Sequence, residues 1–252
     1  MILVVSHKTY PMPDDPLYQP IQVGAAGKAP ISPSWLRDDE GDNISERNRT
    51  FCELTGLYWA WKHIDTEFYG LCHYRRYFAG QFIFKEKQKG IISAEEIDRL
   101  MRRADIILPR KRHYYIETRE SQYAHAHHAQ DLRVTEAVLR EICPGYLPAW
   151  QNMLRSRSGH ICNMFIMPKA LFEEYCGWLF GILFKVEERL DISGYSDYDS
   201  RVFGFIGERL LDVWVETKRL RYIEVPVRVI ENEHWGRKIA AFLQRKIKGG
   251  RD

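Results

Sequence analysis

The sequence predicts an α/β fold with a largely parallel central sheet. Short apolar runs of the length of buried strands alternate with longer segments that carry apolar residues at helical spacing. The 252 residues are 45% hydrophobic and 13% aromatic, which is enough for one large domain with a substantial core. We expect this domain to span residues 1–230, because no linker interrupts it, and a separate tail to span residues 231–252.

The predicted strands and helices follow one another along the chain. Residues 2–5 form the first strand, and a glycine-rich turn follows over residues 23–27. Ser45 has the position of an N-cap for a helix over residues 45–62, which leads into a strand over residues 68–72. The remaining predicted helices cover residues 92–103, 120–128, 131–142, 169–189 and 202–217, and the remaining predicted strands cover residues 104–108, 161–167 and 222–229.

Charge and cysteine content argue against several classes of protein. The net charge of +3 is too small for a typical nucleic-acid-binding protein, so we expect no nucleic-acid partner. The five cysteines include no pair at metal-ligand or redox-motif spacing, which indicates reduced thiols in the cytoplasm. Residues 1–6 are too short for a signal peptide, and no apolar run has the length of a membrane-spanning helix.

Adjacent arginines at the end of the strand over residues 68–72 predict an anion-binding site. His73, Tyr74, Arg75 and Arg76 follow one another there. A guanidinium group pairs with phosphate oxygens through its planar fork, and the aromatic rings can stack on a base or a sugar. A nucleoside diphosphate would fit this chemistry, and a basic surface corner with buried aromatic rings is the alternative.

Acidic residues late in the sequence are the candidates for acid–base chemistry. Asp197 and Asp199 lie in a predicted loop, and Glu208 precedes an apolar helical run. An enzyme that transfers a group to a hydroxyl needs one carboxylate base near the reacting carbon. The alternative is structural, with Asp199 as a helix cap and Glu208 paired with Arg201 or Arg209.

Two further polar groups could contact a sugar. His125, His128 and Asp131 follow at spacings of three and are predicted to share one helical face. A metal site there is not favoured because no fourth ligand is evident, and a sugar-binding stripe and a solvated helix both fit the pattern. His160 and Asn163 begin a predicted apolar strand, where they could bind a sugar hydroxyl or brace a neighbouring loop.

Five separated motifs resemble one family of bacterial proteins. The motifs are Asn43-Ile-Ser with Cys52-Glu-Leu-Thr and Tyr58-Trp, then His73-Tyr-Arg-Arg-Tyr-Phe, Asn163-Met-Phe-Ile, Tyr175-Cys-x-Trp-Leu-Phe and Gly204-Phe-x-x-Glu-Arg-Leu. Over residues 2–230 the chain resembles capsular, exopolysaccharide and O-antigen synthesis proteins that were long catalogued as a domain of unknown function. That family contains galactofuranosyltransferases that use UDP-galactofuranose.

The resemblance implies a GT-A-like glycosyltransferase fold, which is a nucleotide-sugar-binding α/β sandwich. It implies an inverting transferase that moves a hexose, most of all galactofuranose, from a UDP donor to a surface-polysaccharide acceptor. Glu208 matches the position of the acid that activates the acceptor in many GT-A enzymes, and Asp199 is the second candidate. We also assign Asn163 and Arg201 to the donor, and we assign contacts with the acceptor or sugar to His125, His128, Asp131, His160 and Asp197.

Many GT-A enzymes hold the donor diphosphate through a metal ion bound by an Asp-x-Asp motif. Here the corresponding strand ends in His-Tyr-Arg-Arg. We therefore expect Arg75 and Arg76, with Lys8, to replace the cation, and no cofactor to be required. The competing interpretation is a non-transferase carbohydrate-binding protein or a glycoside hydrolase, in which Asp199 and Glu208 would flank the bond about 5–10 Å apart.

The tail predicts an amphipathic basic helix over residues 233–248. Trp235, Ile239, Phe242, Leu243 and Ile247 recur at helical spacing, and lysines and arginines fill the intervening positions. This pattern is typical of a helix that lies in an anionic membrane surface. It predicts a peripheral location on the inner face of the bacterial cytoplasmic membrane, where a lipid-linked glycan acceptor is held. Packing of the helix on the domain, or on another subunit of an oligomer, is the alternative.

Overall fold

The structure is a computed structural model that describes residues 1–80 and 90–230. The predicted tail helix over residues 233–248 lies outside the described residues. Within those residues, no helix has both the length and the apolar character needed to cross a membrane.

Each predicted strand and helix has a counterpart in the predicted order, further short strands and the helix Leu147–Arg155 lie between them, and the predicted strand over residues 222–229 is divided into two. The strands are β1 (Ile2–Ser6), β2 (Tyr18–Gln22), β3 (Leu36–Arg37), β4 (Phe68–His73), β5 (Arg76–Phe78), β6 (Ile106–Pro109), β7 (Arg112–His113), β8 (Ser158–Gly159), β9 (Phe165–Pro168), β10 (Tyr222–Val225) and β11 (Val227–Val229). The α-helices are α1 (Asn48–Phe51), α2 (Leu54–His63), α3 (Ala94–Met101), α4 (Arg119–Ala126), α5 (Ala129–Ile142), α6 (Leu147–Arg155), α7 (Lys169–Glu187) and α8 (Val202–Thr217). Three short 3-10 turns cover Ser45–Arg47, Pro144–Tyr146 and Asp199–Arg201.

The central sheet confirms the α/β prediction. Its strand order is β10-β6-β9-β4-β1-β2-β3, and β5 pairs with both β4 and β11 at one side. β1 runs parallel to β2 and β4, β2 to β3, and β10 to β6, whereas β9 is antiparallel to both of its neighbours. The parallel strands β1, β2 and β4 therefore end at the same edge of the sheet.

Both faces of the sheet are covered by helices and loops. Successive side chains of a strand point to opposite faces, so β1 contributes to a core cluster on each face. Leu3 and Val5 of β1 belong to the larger core cluster, which includes the buried faces of α2, α7 and α8. Ile2 and Val4 belong to a smaller cluster on the other face, which includes Ile97 of α3. The fully buried run of β1 is thus explained by its central place between two layers.

The predicted helix over residues 45–62 is broken in the structure. Cys52 has φ 52° and ψ −129°, a conformation that no helix continues through, and it separates α1 from α2. Ser45 lies within a 3-10 turn and makes no capping bond, so the prediction that it caps the helix is wrong. The helix predicted from residue 93 is confirmed, with a capping box between Ser93 and Glu96.

Two other predicted boundaries also differ from the structure. The segment over residues 120–142 is divided at His127, whose extended backbone ends α4 before α5 begins. The strand predicted from residue 161 begins only at Phe165, because Cys162 and Asn163 have positive φ values of 70° and 50°. His160 and Asn163 therefore lie before the strand and not in it.

The buried carboxylate of Asp38 ties β3 to the loop after β2 and to the start of the helical layer. It accepts hydrogen bonds from the backbone N–H groups of Gly24 and Ala25 at 2.8 and 2.9 Å. The hydroxyls of Ser45 and Thr55 also donate to it. Asp38 is fully buried, so each of these donors depends on it in place of water.

We expect Asp38→Ala to lower the free energy of unfolding by at least about 3 kcal/mol, because it leaves several buried donors without an acceptor. Urea denaturation measures this change. Asp14→Ala is the control, since Asp14 is exposed. Equal stability of the two variants would contradict the assigned role of Asp38.

Candidate functional site

A cavity of about 680 Å³ opens where β1, β2 and β4 end. Val5 and Ser6 of β1, Val23 after β2, and His73 of β4 contribute to its wall. The carboxyl edge of parallel strands is the usual ligand-binding edge of open α/β sheets. Its volume also lies in the range of about 300–1,000 Å³ that is typical of small-molecule sites.

Cations and aromatic rings from two strand ends form one side of the cavity. Tyr74, Arg75 and Arg76 line it together with His7. The Arg75 guanidinium lies over the Tyr74 ring at 4.9 Å, and the ring of His7 meets Tyr74 edge-on at 5.6 Å. Burial and the nearby cations, Lys8 and Arg75 first among them, lower the pKa of His7. This side of the cavity is therefore suited to an anionic ligand.

The structure brings most of the predicted donor-binding residues into the cavity. His73, Tyr74, Arg75, Arg76 and Arg201 all line it. His73 Nε2 lies 2.7 Å from the carbonyl oxygen of Cys162, which fixes the imidazole ring. Arg201 Nε donates to Cys52 Sγ at 3.2 Å. The predicted donor residues Lys8 and Asn163 are absent from the described lining. The ammonium group of Lys8 lies 5.3 Å from the centre of the Tyr74 ring.

Glu208 on α8 is one of the carboxylates in the described cavity wall. Its Oε1 accepts the backbone N–H of Cys162 at 2.7 Å, and its Oε2 lies 3.8 Å from Arg209 Nη1. The side chain is 22% exposed, so one edge of it reaches the cavity. Burial raises the pKa of Glu208, and the nearby charge of Glu53 raises it as well. A carboxylate with a raised pKa is a better proton acceptor near neutral pH.

Asp199, the second predicted base, is not part of the described cavity lining. It accepts hydrogen bonds from Ser196 Oγ at 2.6 Å and contacts His127 Nδ1 at 3.2 Å. The bonds to Ser196 and His127 lower the pKa of Asp199, which makes it a weaker base. Of the two acids that a hydrolase would need as a pair, only Glu208 belongs to the described cavity lining.

Asp197 does line the cavity, at its exposed rim. It pairs with Arg49 at 2.8 Å, and the two side chains are 95% and 68% exposed. An ion pair this exposed contributes little to stability, so Asp197 and Arg49 are free to exchange this contact for a ligand.

The prediction that His125, His128 and Asp131 share one helical face is wrong, because the helix is divided between them. His125 pairs with Glu117 at 2.5 Å. His128 stacks on the Tyr195 ring at 4.0 Å. Asp131 is buried and accepts hydrogen bonds from two tyrosine hydroxyls, so it presents no surface to a sugar.

His160 and Asn163 are also absent from the described cavity lining. His160 is buried and bonds through Nδ1 to Asp212, which in turn accepts from Arg119. The interactions of Asp212 with His160 and Arg119 outweigh its burial and lower its pKa. The predicted sugar contact of His160 and the predicted donor contact of Asn163 are thus replaced by structural roles.

Several residues of the cavity wall were not predicted as site residues. They are His7, Asn48, Glu53, Arg112, Tyr114, Gln122, His127, Cys162 and Arg209. Asn48 lies in the first turn of the predicted helix over residues 45–62, and Glu53 and Arg209 each lie within a motif of the family. The others come from β7, from α4 and from separate loops, and no sequence spacing indicates that they meet.

Arg209 shows how the burial of a charge shapes the site. Its guanidinium lies over the Tyr123 ring at 4.4 Å and donates to the carbonyl oxygen of Phe205 at 2.7 Å. Burial lowers its pKa, and the charge of Glu208 opposes that effect. The positive charge of Arg209 thus compensates part of the negative charge of Glu208.

Across residues 1–80 and 90–230, no group of three or more His, Cys, Asp or Glu side chains is arranged to hold a metal ion.

The fold of this chain is similar to that of a protein of known structure. The fold matches the solved apo structure of the WbbM bifunctional glycosyltransferase with a TM-score of 0.85 and 28% sequence identity. The match covers 92% of this chain and 45% of that chain, so the protein spans less than half the length of its neighbour. No curated protein matches the sequence.

This structural match agrees with the GT-A-like fold that the resemblance implies. The profile of one protein family matches residues 1–219, which is most of the chain. The protein therefore belongs to the family described as Domain of unknown function (DUF4422).

Proposed function

We propose that the protein is an inverting glycosyltransferase that moves a hexose from a UDP donor to a bacterial surface-polysaccharide acceptor, with galactofuranose as the first candidate sugar. The observation that carries this proposal is that one cavity contains both a cationic side, with Arg75 and Arg76, and a half-buried carboxylate of raised pKa, Glu208. A diphosphate leaving group and an acceptor hydroxyl need these two environments together.

The donor diphosphate binds to Arg75 and Arg76 at the end of β4. Arginine stays charged at any working pH and offers bidentate hydrogen bonds to phosphate oxygens. Tyr74 and His7 supply rings beside them for the rest of the donor. In this proposal the arginines take the place of a divalent cation, and no cofactor is required.

Transfer then proceeds as a single displacement at the anomeric carbon. The acceptor oxygen forms the new bond to that carbon while the bond to the phosphate oxygen breaks, and UDP leaves with the electron pair. Glu208 takes the proton of the acceptor hydroxyl. A positioned carboxylate of this kind contributes about 10²–10⁴-fold to the rate.

The acceptor is a glycan carried on a membrane lipid. The basic and apolar pattern over residues 233–248 supports docking of the enzyme at the anionic inner face of the cytoplasmic membrane. Such docking keeps the cavity close to the acceptor.

We expect Glu208→Gln to lower turnover by at least about 100-fold, because the amide cannot accept the hydroxyl proton. UDP binding should stay unchanged. Glu216→Gln is the matched control, since Glu216 lies on the same helix and is exposed. Turnover close to that of the wild type in Glu208→Gln would remove Glu208 as the base.

The same role predicts the pH dependence of kcat/KM. Glu208 must be deprotonated to act, and its pKa is raised, so the rate should fall as the pH drops through a value above the ordinary glutamate pKa of about 4.3. A pH–rate profile measures this midpoint. A midpoint at or below the ordinary value would contradict the assignment.

We expect Arg75→Ala and Arg76→Ala each to weaken UDP binding by about 1.5–3 kcal/mol, the usual contribution of a hydrogen bond to a charged group. Isothermal titration calorimetry measures the affinity, with and without EDTA. Arg103→Ala serves as the control, because Arg103 is exposed and outside the described cavity lining. Affinity that survives both substitutions but disappears with EDTA would favour a metal-based site.

Removal of the tail should abolish binding to membranes. Liposomes that contain anionic lipid should float the full chain at low salt and leave behind a chain that ends at Asn232, because each cation near such a surface contributes about 1 kcal/mol. High salt should release the full chain. Equal flotation of the two chains would reject the membrane role of the tail.

A further inference from the structure

The consecutive residues Cys162 and Asn163 donate hydrogen bonds to two carboxylates of the cavity wall, those of Glu208 and Glu53. Cys162 and Asn163 both have left-handed backbone, with φ values of 70° and 50°. The backbone N–H of Cys162 donates to Glu208 Oε1 at 2.7 Å, and the side-chain Nδ2 of Asn163 donates to Glu53 Oε1 at 2.7 Å. Left-handed backbone is costly for residues other than glycine and tends to occur at functional sites.

A second backbone feature places Glu53. Cys52, immediately before it, also has a positive φ value, and this break between α1 and α2 puts Glu53 at the start of α2. Both Cys52 and Glu53 line the cavity. Three of the left-handed residues other than glycine therefore surround one pair of carboxylates.

Close packing of α8 depends on two glycines and keeps these segments in place. A Cβ atom on Gly204 would lie 3.3 Å from the Cys52 side chain. A Cβ atom on Gly207 would lie 2.9 Å from Leu54 and 3.0 Å from Asn163 Oδ1. The carbonyl oxygen of Gly204 also accepts from Asn163 Nδ2 at 3.1 Å. The buried amide of Asn163 thus connects α8 with Glu53.

The chemistry of two carboxylates limits what they can bind. Ionised carboxylates only accept hydrogen bonds, so they repel a phosphate and bind groups that donate, such as hydroxyls. In the part of the chain that the structure describes, Glu53 Oε2 has no hydrogen-bond partner and Glu208 Oε2 has only the distant Arg209. One oxygen of each acid remains available to a ligand in the cavity.

We propose that Glu53 and Glu208 together form the acceptor subsite and bind two hydroxyl groups of one sugar unit, with Asn163 as the residue that positions Glu53. This inference rests on the proposed function, because it gives Glu208 the hydroxyl that reacts and Glu53 a second hydroxyl of the same sugar. Glu53 sets the orientation of the acceptor, and the donor diphosphate occupies the cationic side.

Saturation-transfer NMR with methyl glycosides of galactose, glucose and mannose tests the subsite without any need for turnover. At least one of these glycosides should bind the wild type. Glu53→Gln should weaken its binding by about 10- to 100-fold, the usual effect of losing a hydrogen bond to a charged group, and leave UDP affinity unchanged. Glu46→Gln is the control, since Glu46 is exposed and outside the described cavity lining.

Asn163→Gly tests the positioning role, because glycine accepts the left-handed backbone and removes only the amide side chain. It should weaken glycoside binding in the same direction as Glu53→Gln. Gly207→Ala is the second variant, and its added methyl group should displace the Asn163 amide with the same result. Thermal unfolding of each variant shows whether it remains folded. The glycoside affinity is then measured for the folded variants.

The results that test the acceptor subsite can be distinguished from those that test the proposed function. Absence of UDP binding would overturn the transferase proposal, while the glycoside titrations would still decide the subsite. Equal glycoside affinity in the wild type and Glu53→Gln, or no glycoside binding by the wild type, would overturn the subsite. Binding of Mg²⁺ or Ca²⁺ that is lost in Glu53→Gln would identify a cation site and would also overturn it.

Discussion

One wall of the cavity depends on the hydrogen bonds that the buried carboxylate of Asp38 accepts. This carboxylate collects donors from the loop after β2, from the 3-10 turn at Ser45 and from α2. Since these segments are distant in sequence, a single acceptor at their meeting point fixes their relative positions. Asn48 and Cys52 line the cavity between them and are held in place by this arrangement.

Gly24 shows how tightly the segments meet. It has a φ value of 60°, and a Cβ atom there would lie 2.5 Å from the Asn48 side chain. Glycine adopts this backbone without steric cost, and its N–H can therefore reach Asp38. The geometry of the wall thus combines a buried carboxylate, a left-handed backbone and the absence of a side chain at one position.

The cavity has two electrostatic sides with different origins. The cationic side comes from consecutive residues at the end of β4, so its composition is local. The acidic side comes from the start of α2 and from α8, whose two acids are both hydrogen-bonded by the turn at Cys162 and Asn163. Because burial and a neighbouring carboxylate both raise the pKa of Glu208, the fold prepares this group to take a proton. The cationic side is therefore complementary to an anion, and the acidic side is complementary to a hydroxyl group that donates a hydrogen bond.

The sequence alone determined the fold class, because the alternation of strand-length and helix-length apolar segments is a local property. It also identified the helix within residues 92–103, the arginines after β4 and Glu208, since each is signalled by a short stretch of sequence. Only the tertiary structure decided which acids share the cavity. Asp199 is engaged by His127 and Ser196, whereas Glu53 joins Glu208 through contacts between segments far apart in the chain. Left-handed turns at Cys52, Cys162 and Asn163 break the predicted elements, and apolar periodicity carries no signal for backbone φ at such positions. Their conformations depend on close packing against glycines of α8, which is a property of the assembled core and not of any local stretch of sequence.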